Sequence, residues 1–427
     1  MIDRYISKLK TLPIVKQIVT LVLGTASAQL IGILIYPILT RIYNPNDFGV
    51  LELFVSIFSI LASIACLKYE QAIITTKTDE DAIFLTKITI GINILFSGLL
   101  FVVIFLFFSK IDLLFDSKLG YLLYGVPLMT FITAFFASVR SLAVRLQEYS
   151  SITKVNIFRA VIGAISQVTF GFFKMGSLGL ISSQFISSYF SNYSFYRRIV
   201  KRNDDSTKVL SKSKVKSLLK AHLNFPKFSI LATLANSLVI YGTNIGIFSI
   251  FDSKVLGHMS LSTKMLSIPL VLIGGALSDV FFQKFSRLQN DGEKLSPSFI
   301  TLLKTLILCL LPLTILLYFL LPYVYTFVFG NEWSESGVYA SILIVLYVVR
   351  LINTPFSNVL IVIGKQSIFM WLTFSQLGLL FLLFNAVEVF DLSFIQFLWY
   401  YVFSQSAFYI LFIGISWTLL KRYEKNA

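Results

Sequence analysis

Charge is scarce in this 427-residue chain: Asp, Glu, Lys and Arg together supply 13%, and histidine and cysteine occur twice each. Such a composition excludes an ordinary soluble domain, in which about a quarter of the residues are charged. Cys66 and Cys309 fall in separate apolar stretches, which removes a disulfide framework or a CxxC metal site and predicts two buried free thiols. His222 and His258 are read as solvated residues of loops. Neither a P-loop, an HExxH, a GxSxG nor a paired-carboxylate arrangement occurs. ATPase or hydrolase chemistry therefore has no residues to carry it, the chain is not expected to be an enzyme, and no metal or cofactor is implied.

Apolar residues fill the place of the missing charge, at 56% of the chain with 15% aromatic. They form twelve runs, at about 14–36, 48–67, 83–108, 120–139, 155–173, 176–196, 228–251, 260–282, 299–321, 337–363, 367–388 and 392–420. A helix of about 20 residues crosses the ~30 Å hydrocarbon core of a bilayer. Backbone groups in lipid must be satisfied within the segment, and runs this continuous do not fit alternating barrel strands, so the spans are predicted to be helices. The expectation is an all-α integral membrane protein of about twelve transmembrane helices.

Basic residues are distributed unevenly among the connections. With odd spans entering from the cytoplasm, the outer loops hold only Arg41, Lys110, Lys118, Lys174 and Lys254, and the inner loops hold most of the rest. The positive-inside bias puts both termini in the cytoplasm and accounts for the net charge of +15 without nucleic acid as a partner. The most basic loop, 199–227, separates an N-terminal lobe, 1–198, from a C-terminal lobe, 228–427. Lys208, Lys212, Lys216 and Lys220 recur at helical spacing opposite Val209, Val215, Leu218, Leu219 and Leu223. Two readings stay open, an amphipathic helix lying on an anionic leaflet and a solvated linker.

The lobes carry a trace of a repeat. "RIYNPNDFGVLELFVSIFSI" from Arg41 aligns without gaps to "SIFDSKVLGHMSLSTKMLSI" from Ser249, at an offset of 208 residues. Ile42/Ile250, Gly49/Gly257, Leu53/Leu261, Ser59/Ser267 and Ile60/Ile268 are identical, and Asn44/Asp252 are similar. Each segment joins the first span of its lobe to the second, as expected for two pseudo-symmetric six-helix lobes. In the first copy, Asn44-Pro45 is expected to stop one helix, with Asn46 or Asp47 capping the next and Gly49 allowing close packing.

Within the spans, Glu52 heads a polar stripe with Ser56, Ser59 and Ser63, and Arg159 lies with Asn156, Gly163 and Ser166. Lys264 shares a face with Ser260 and Ser267, and Arg350 with Asn353 and Ser357. Small polar residues alone promote helix packing. A Lys or Arg at a helix centre costs at least ~2.5 to 3.5 kcal/mol and so faces a cavity or a partner. Arg159 and Lys264 lie close enough to span ends for snorkelling to compete with that reading, whereas Arg350 sits mid-span. The excess of bases over acids suits a phosphate-bearing ligand, with Arg41, Arg159, Lys264 and Arg350 as its contacts. Glu52, Glu70 and Asp279 are candidates for partner charges or for proton or sodium coupling.

The stretch "YPILTRIYNPNDFGV", followed by "KYE" at Lys68–Tyr69–Glu70, resembles the N-terminal signature of bacterial polysaccharide-unit flippases. "LSTKMLSIPLVLIGGALSDVFFQKFSRL" and "TPFSNVLIVIGKQ" are similar to the eighth and tenth helices of that family. The resemblance, to O-antigen (Wzx-type) flippases of the multidrug/oligosaccharidyl-lipid/polysaccharide (MOP) exporter superfamily, implies a MATE-like V of two lobes around a cavity. It implies movement of undecaprenyl-diphosphate-linked oligosaccharide from the cytoplasmic to the periplasmic leaflet of a bacterial inner membrane, beside a polysaccharide polymerase and chain-length machinery. It also adds Lys68 to the diphosphate contacts, although the family's triplet often carries Arg there. Two competing readings make contrary demands: a cation-coupled multidrug exporter would carry carboxylates in its first span, and an O-antigen polymerase would carry a large periplasmic loop.

Overall fold

The computed structural model describes residues 13–201, 212–363 and 365–426, and these residues are helical almost throughout. The helices are α1 (Pro13–Ile42), α2 (Pro45–Ala62), α3 (Tyr69–Thr75), α4 (Asp79–Leu113), α5 (Gly125–Arg145), α6 (Tyr149–Phe172) and α7 (Gly176–Tyr196). After α8 (Lys212–Ala221) come α9 (Ile230–Ile250), α10 (Ser253–Asn290), α11 (Ser296–Phe329), α12 (Ser334–Val362), α13 (Gln366–Phe390) and α14 (Phe394–Asn426). Ten helices among the described residues are long and apolar enough to cross a membrane. The serine-rich α7 is not among these ten, and α1 contributes only the shorter apolar stretch Ala26–Ile42.

Contacts divide the chain into two compact units, Met1–Tyr43 with Val50–Ser237, and Asn44–Gly49 with Leu238–Ala427. In the first unit, Ile73, Leu85, Val139, Leu142, Ile152 and Phe195 form a buried core that gathers α3 to α7. In the second, Phe285, Phe299, Phe356, Val359 and Phe412 tie α10, α11, α12 and α14 together.

The two copies of the repeat meet inside the second unit. Asn44 caps α2: its side chain accepts from the Asp47 amide at 3.0 Å, while Asp47 accepts from the Asn44 amide at 3.2 Å. This corrects the expected cap at Asn46 or Asp47, because Pro45 occupies the first helical position, where a missing N–H costs nothing. Asp252, the counterpart of Asn44, caps α10 through the Val255 amide at 2.6 Å. The helix starts touch so closely that a Cβ on Gly49 would overlap the Ser253 carbonyl, and one on Gly257 would overlap the Pro45 carbonyl. At the offset of 208 the relation is reciprocal, since Gly49 pairs with Gly257 and Pro45 with Ser253. Asn46 and Ser253 add a side-chain hydrogen bond across the crossing, and Phe48 sets its ring edgewise on Trp333 at 5.1 Å.

The apolar side of helix α8 meets protein at Leu218, which is buried, and at Leu219, which with the nearby Phe225 packs against the core of the first unit, while Leu223 stays exposed. The Tyr69 hydroxyl donates to the Leu219 carbonyl at 3.2 Å, and Lys214 pairs with Asp81 at 2.6 Å. Lys208 and Val209 lie outside the described residues. Asp81 raises the Lys214 ammonium above its ordinary value of 10.5, so this contribution is present at neutral pH and lost only as pH rises through that raised value. Salt is the more accessible lever, because Lys214 is exposed and Asp81 only partly buried. Asp81→Asn is expected to speed amide exchange across 212–221 several-fold at low salt and to leave the global melting temperature within a degree or two. An unchanged exchange rate would show that the apolar contacts hold α8 alone.

Candidate functional site

Each unit holds a guanidinium away from any carboxylate that pairs with it among the described residues. In the first unit, α6 carries Arg159 toward α5 and α7. Its Nη2 donates to Asn192 Oδ1 at 2.6 Å, its Nε reaches Ser191 Oγ at 3.4 Å, and its carbon centre lies 4.1 Å from the centroid of the Phe136 ring. Asn192 is oriented by its own bond to the Ile132 carbonyl at 2.7 Å. The cation is thus held by neutral groups, which position it without neutralising it.

In the second unit, Arg350 of α12 stands against two tyrosines, 5.4 Å from the Tyr347 ring and 6.0 Å from the Tyr409 ring. Tyr401, with Tyr409, lies within electrostatic reach of it. Gln376 of α13 donates to Gln405 of α14 at 2.6 Å and reaches Tyr409 at 3.5 Å. Gln405 Nε2, Asn353 Oδ1 and Ser406 Oγ, from α12 and α14, are buried without a hydrogen-bond partner among the described residues. Unsatisfied polar atoms on the helices that carry Arg350 and Tyr409 leave hydrogen-bonding capacity unspent in this part of the second unit.

The other candidates are placed differently. Lys68 is buried and bonds Glu70 at 2.9 Å, so its charge is already matched; Glu70 Oε2 is left without a partner. Lys68 and Leu67 both have left-handed backbone angles, which turn the chain sharply between α2 and α3. Arg41 is exposed at the end of α1, and Asp279 is exposed on α10. Glu52 is buried at 9% exposure and Lys264 is half-buried on α10.

Two expectations fail. His258 is fully buried within α10 rather than solvated in a loop, its Nδ1 2.9 Å from Ser336 Oγ and its Nε2 3.6 Å from Glu335. The helix begins at Ser253, earlier than the hydropathy run at 260, because Asp252 supplies its cap. Cys66 is buried, but Cys309 is exposed on α11, where an apolar thiol can face lipid. The tyrosines and glutamines around Arg350 were not singled out from sequence. Gln376 and Gln405, lone amides in strongly apolar runs, were the available signal.

A family model described as polysaccharide biosynthesis protein matches residues 38–338. The teichuronic acid biosynthesis protein TuaB of Bacillus subtilis is 26% identical over 157 residues, 36% of this chain and 32% of that protein. The match therefore spans about a third of that relative's length. A Klebsiella pneumoniae protein described as an uncharacterized membrane protein in the cps region is 23% identical over 358 residues, 81% of this chain and 70% of the relative. Among solved structures, an inward-facing multidrug resistance MATE family transporter of the MOP superfamily aligns over 96% of both chains, with TM-score 0.72 and 14% identity. A Pyrococcus furiosus MOP superfamily transporter, described as having a binding pocket of reverse polarity, aligns over 96% of both chains with TM-score 0.61 and 16% identity. At these identities the likeness is one of fold alone, an all-helical membrane architecture.

Proposed function

Because the chain belongs to the polysaccharide biosynthesis protein family, we propose that it is a flippase for a polyprenyl-diphosphate-linked oligosaccharide. The lipid carrier is undecaprenyl diphosphate, and the glycan moves from the cytoplasmic to the periplasmic leaflet of the bacterial inner membrane by alternating access. The observation that carries this reading is a guanidinium in each unit, Arg159 held by an amide and an aromatic ring and Arg350 standing over two tyrosine rings, that pairs with no carboxylate among the described residues. Arg159 and Arg350 would bind the diphosphate, and the amides and hydroxyls near them would bond sugar hydroxyls. Both termini then lie in the cytoplasm, and a polymerase takes up the delivered glycan.

Translocation of defined undecaprenyl-diphosphate-linked oligosaccharides in proteoliposomes, with and without proton or sodium gradients, tests the proposal. Arg159→Ala and Arg350→Ala are each expected to slow flipping about ten- to a hundredfold, the worth of a charge-assisted hydrogen bond of ~1.5 to 3 kcal/mol, with normal folded yield. Failure to move every undecaprenyl-linked substrate, beside robust export of a cationic dye, would overturn it in favour of a multidrug exporter.

A further inference from the structure

An apolar groove runs through the second unit between α10, α11 and α12, with a volume of about 370 Å³. Its α11 wall extends from Leu310 to Phe329, and at ~1.5 Å per residue that is about 28 Å, most of the hydrocarbon thickness of a bilayer. Pro269 lines the opposite wall and starts a π-helical turn over Leu270–Gly274. The proline removes one backbone bond, the helix widens there, and α10 is free to bend beside the groove. The floor is deep: Leu266, Leu321 and Tyr347 are each less than a tenth exposed, while Leu313 and Ile273 at the rim are open.

Among the described residues no ionised side chain lines this groove, yet a cation stands beside it. Tyr347 belongs to the wall and lies 5.4 Å under the Arg350 guanidinium, and Val348 and Leu351, adjacent in the same helix, are also wall residues. A long apolar trough beside an unpaired cation is complementary to an amphiphile with one hydrocarbon chain and an anionic head. The first unit provides the contrast: its groove, about 470 Å³ between α4 and α5, is lined by such residues as Ile94, Tyr124 and Phe131 and carries no charged wall residue.

We infer that the α10–α12 groove seats part of the polyprenyl chain while its diphosphate is held at Arg350. The inference rests on the flippase reading and deepens it, since it takes the tail out of bulk lipid and into the protein. The rim-to-floor depth and the adjoining cation favour a chain tethered to an anionic head over a passing bilayer phospholipid.

The test uses the full chain in nanodiscs of phosphatidylethanolamine and phosphatidylglycerol, with polyprenyl diphosphate carrying a photoreactive diazirine near the far end of its chain. Labelling is expected on α10 to α12 and is displaced by unlabelled undecaprenyl diphosphate. Leu317→Trp, or Val324→Trp if the first folds poorly, fills the trough at partly exposed wall positions. Either is expected to reduce labelling at least fivefold and raise KM for a long-chain substrate, with little change for a glycan on a ten-carbon prenyl diphosphate. Labelling confined to α4 and α5, or equal displacement by excess phosphatidylglycerol, overturns the inference. If the wild-type protein flips the glycan with its groove unlabelled, the groove assignment falls and the flippase reading stands. If the groove is labelled but no lipid-linked glycan moves, the reverse holds.

Discussion

Gly49→Ala and Gly257→Ala are each expected to destroy most of the folded protein, with losses of about 3 kcal/mol or more, at the upper end of the cost of overpacking. The added methyl at Gly49 has nowhere to go because the Ser253 carbonyl occupies its place, and the Pro45 carbonyl does the same at Gly257. Both obstacles are backbone. A side chain could rotate away from a new methyl, but relieving these contacts requires one helix start to move off the other, which would strain the caps at Asn44 and Asp252 and the Phe48–Trp333 contact. Gly32→Ala and Gly91→Ala are the controls, since nothing lies within 4 Å of a Cβ built there. Alanine is the better helix former by about 1 kcal/mol, so these two are expected to be neutral or stabilising. Thermal melts followed by fluorescence size-exclusion chromatography separate the pairs; equal melting temperatures for all four variants would show that the crossing tolerates a methyl group.

Breaking the Lys68–Glu70 pair is expected to cost about 3 to 5 kcal/mol, because removal of one partner strands a charge out of water. The two side chains are 9% and 11% exposed, and the only other partner of Lys68 among the described contacts is the Ser63 carbonyl at 3.5 Å. Glu70→Gln or Lys68→Met should therefore lower folded yield sharply. Lys68→Met combined with Glu70→Leu should recover much of it, since replacing a whole buried pair by apolar groups is often neutral. The double variant also decides the role of the triplet. Recovered stability with normal flipping would make the pair an architectural brace behind Tyr69 and its bond to α8; recovered stability without flipping would return Lys68 to the substrate.

The candidate site was legible in part. Arg350 stands out because it sits mid-span, where a guanidinium is costly in any arrangement, whereas Arg159 lies close enough to a span end for snorkelling to compete with a cavity. Their partners did not stand out. Asn192, Phe136, Tyr401 and Gln376 are distant in sequence from the arginines they surround, and helix rotation, which hydropathy does not encode, decides which face meets which neighbour. His258 was misplaced for a related reason: a start read from the apolar run misses a helix that begins at a polar cap, Asp252.

The sequence by itself determined that this chain is an all-helical membrane protein, since hydropathy accumulates along a span whatever its neighbours are. It also carried the repeat at an offset of 208, written in Gly49, Gly257 and the residues around them. Only the tertiary structure decided that the two copies of that motif lie against each other, each glycine admitting the other copy's carbonyl. Only it turned the apolar face of α8 onto the protein core, and only it set an apolar groove beside Arg350. A pattern of residues specifies that a close approach or an apolar face must be accommodated; the partner is chosen by packing, where non-local contacts compete for the same surfaces.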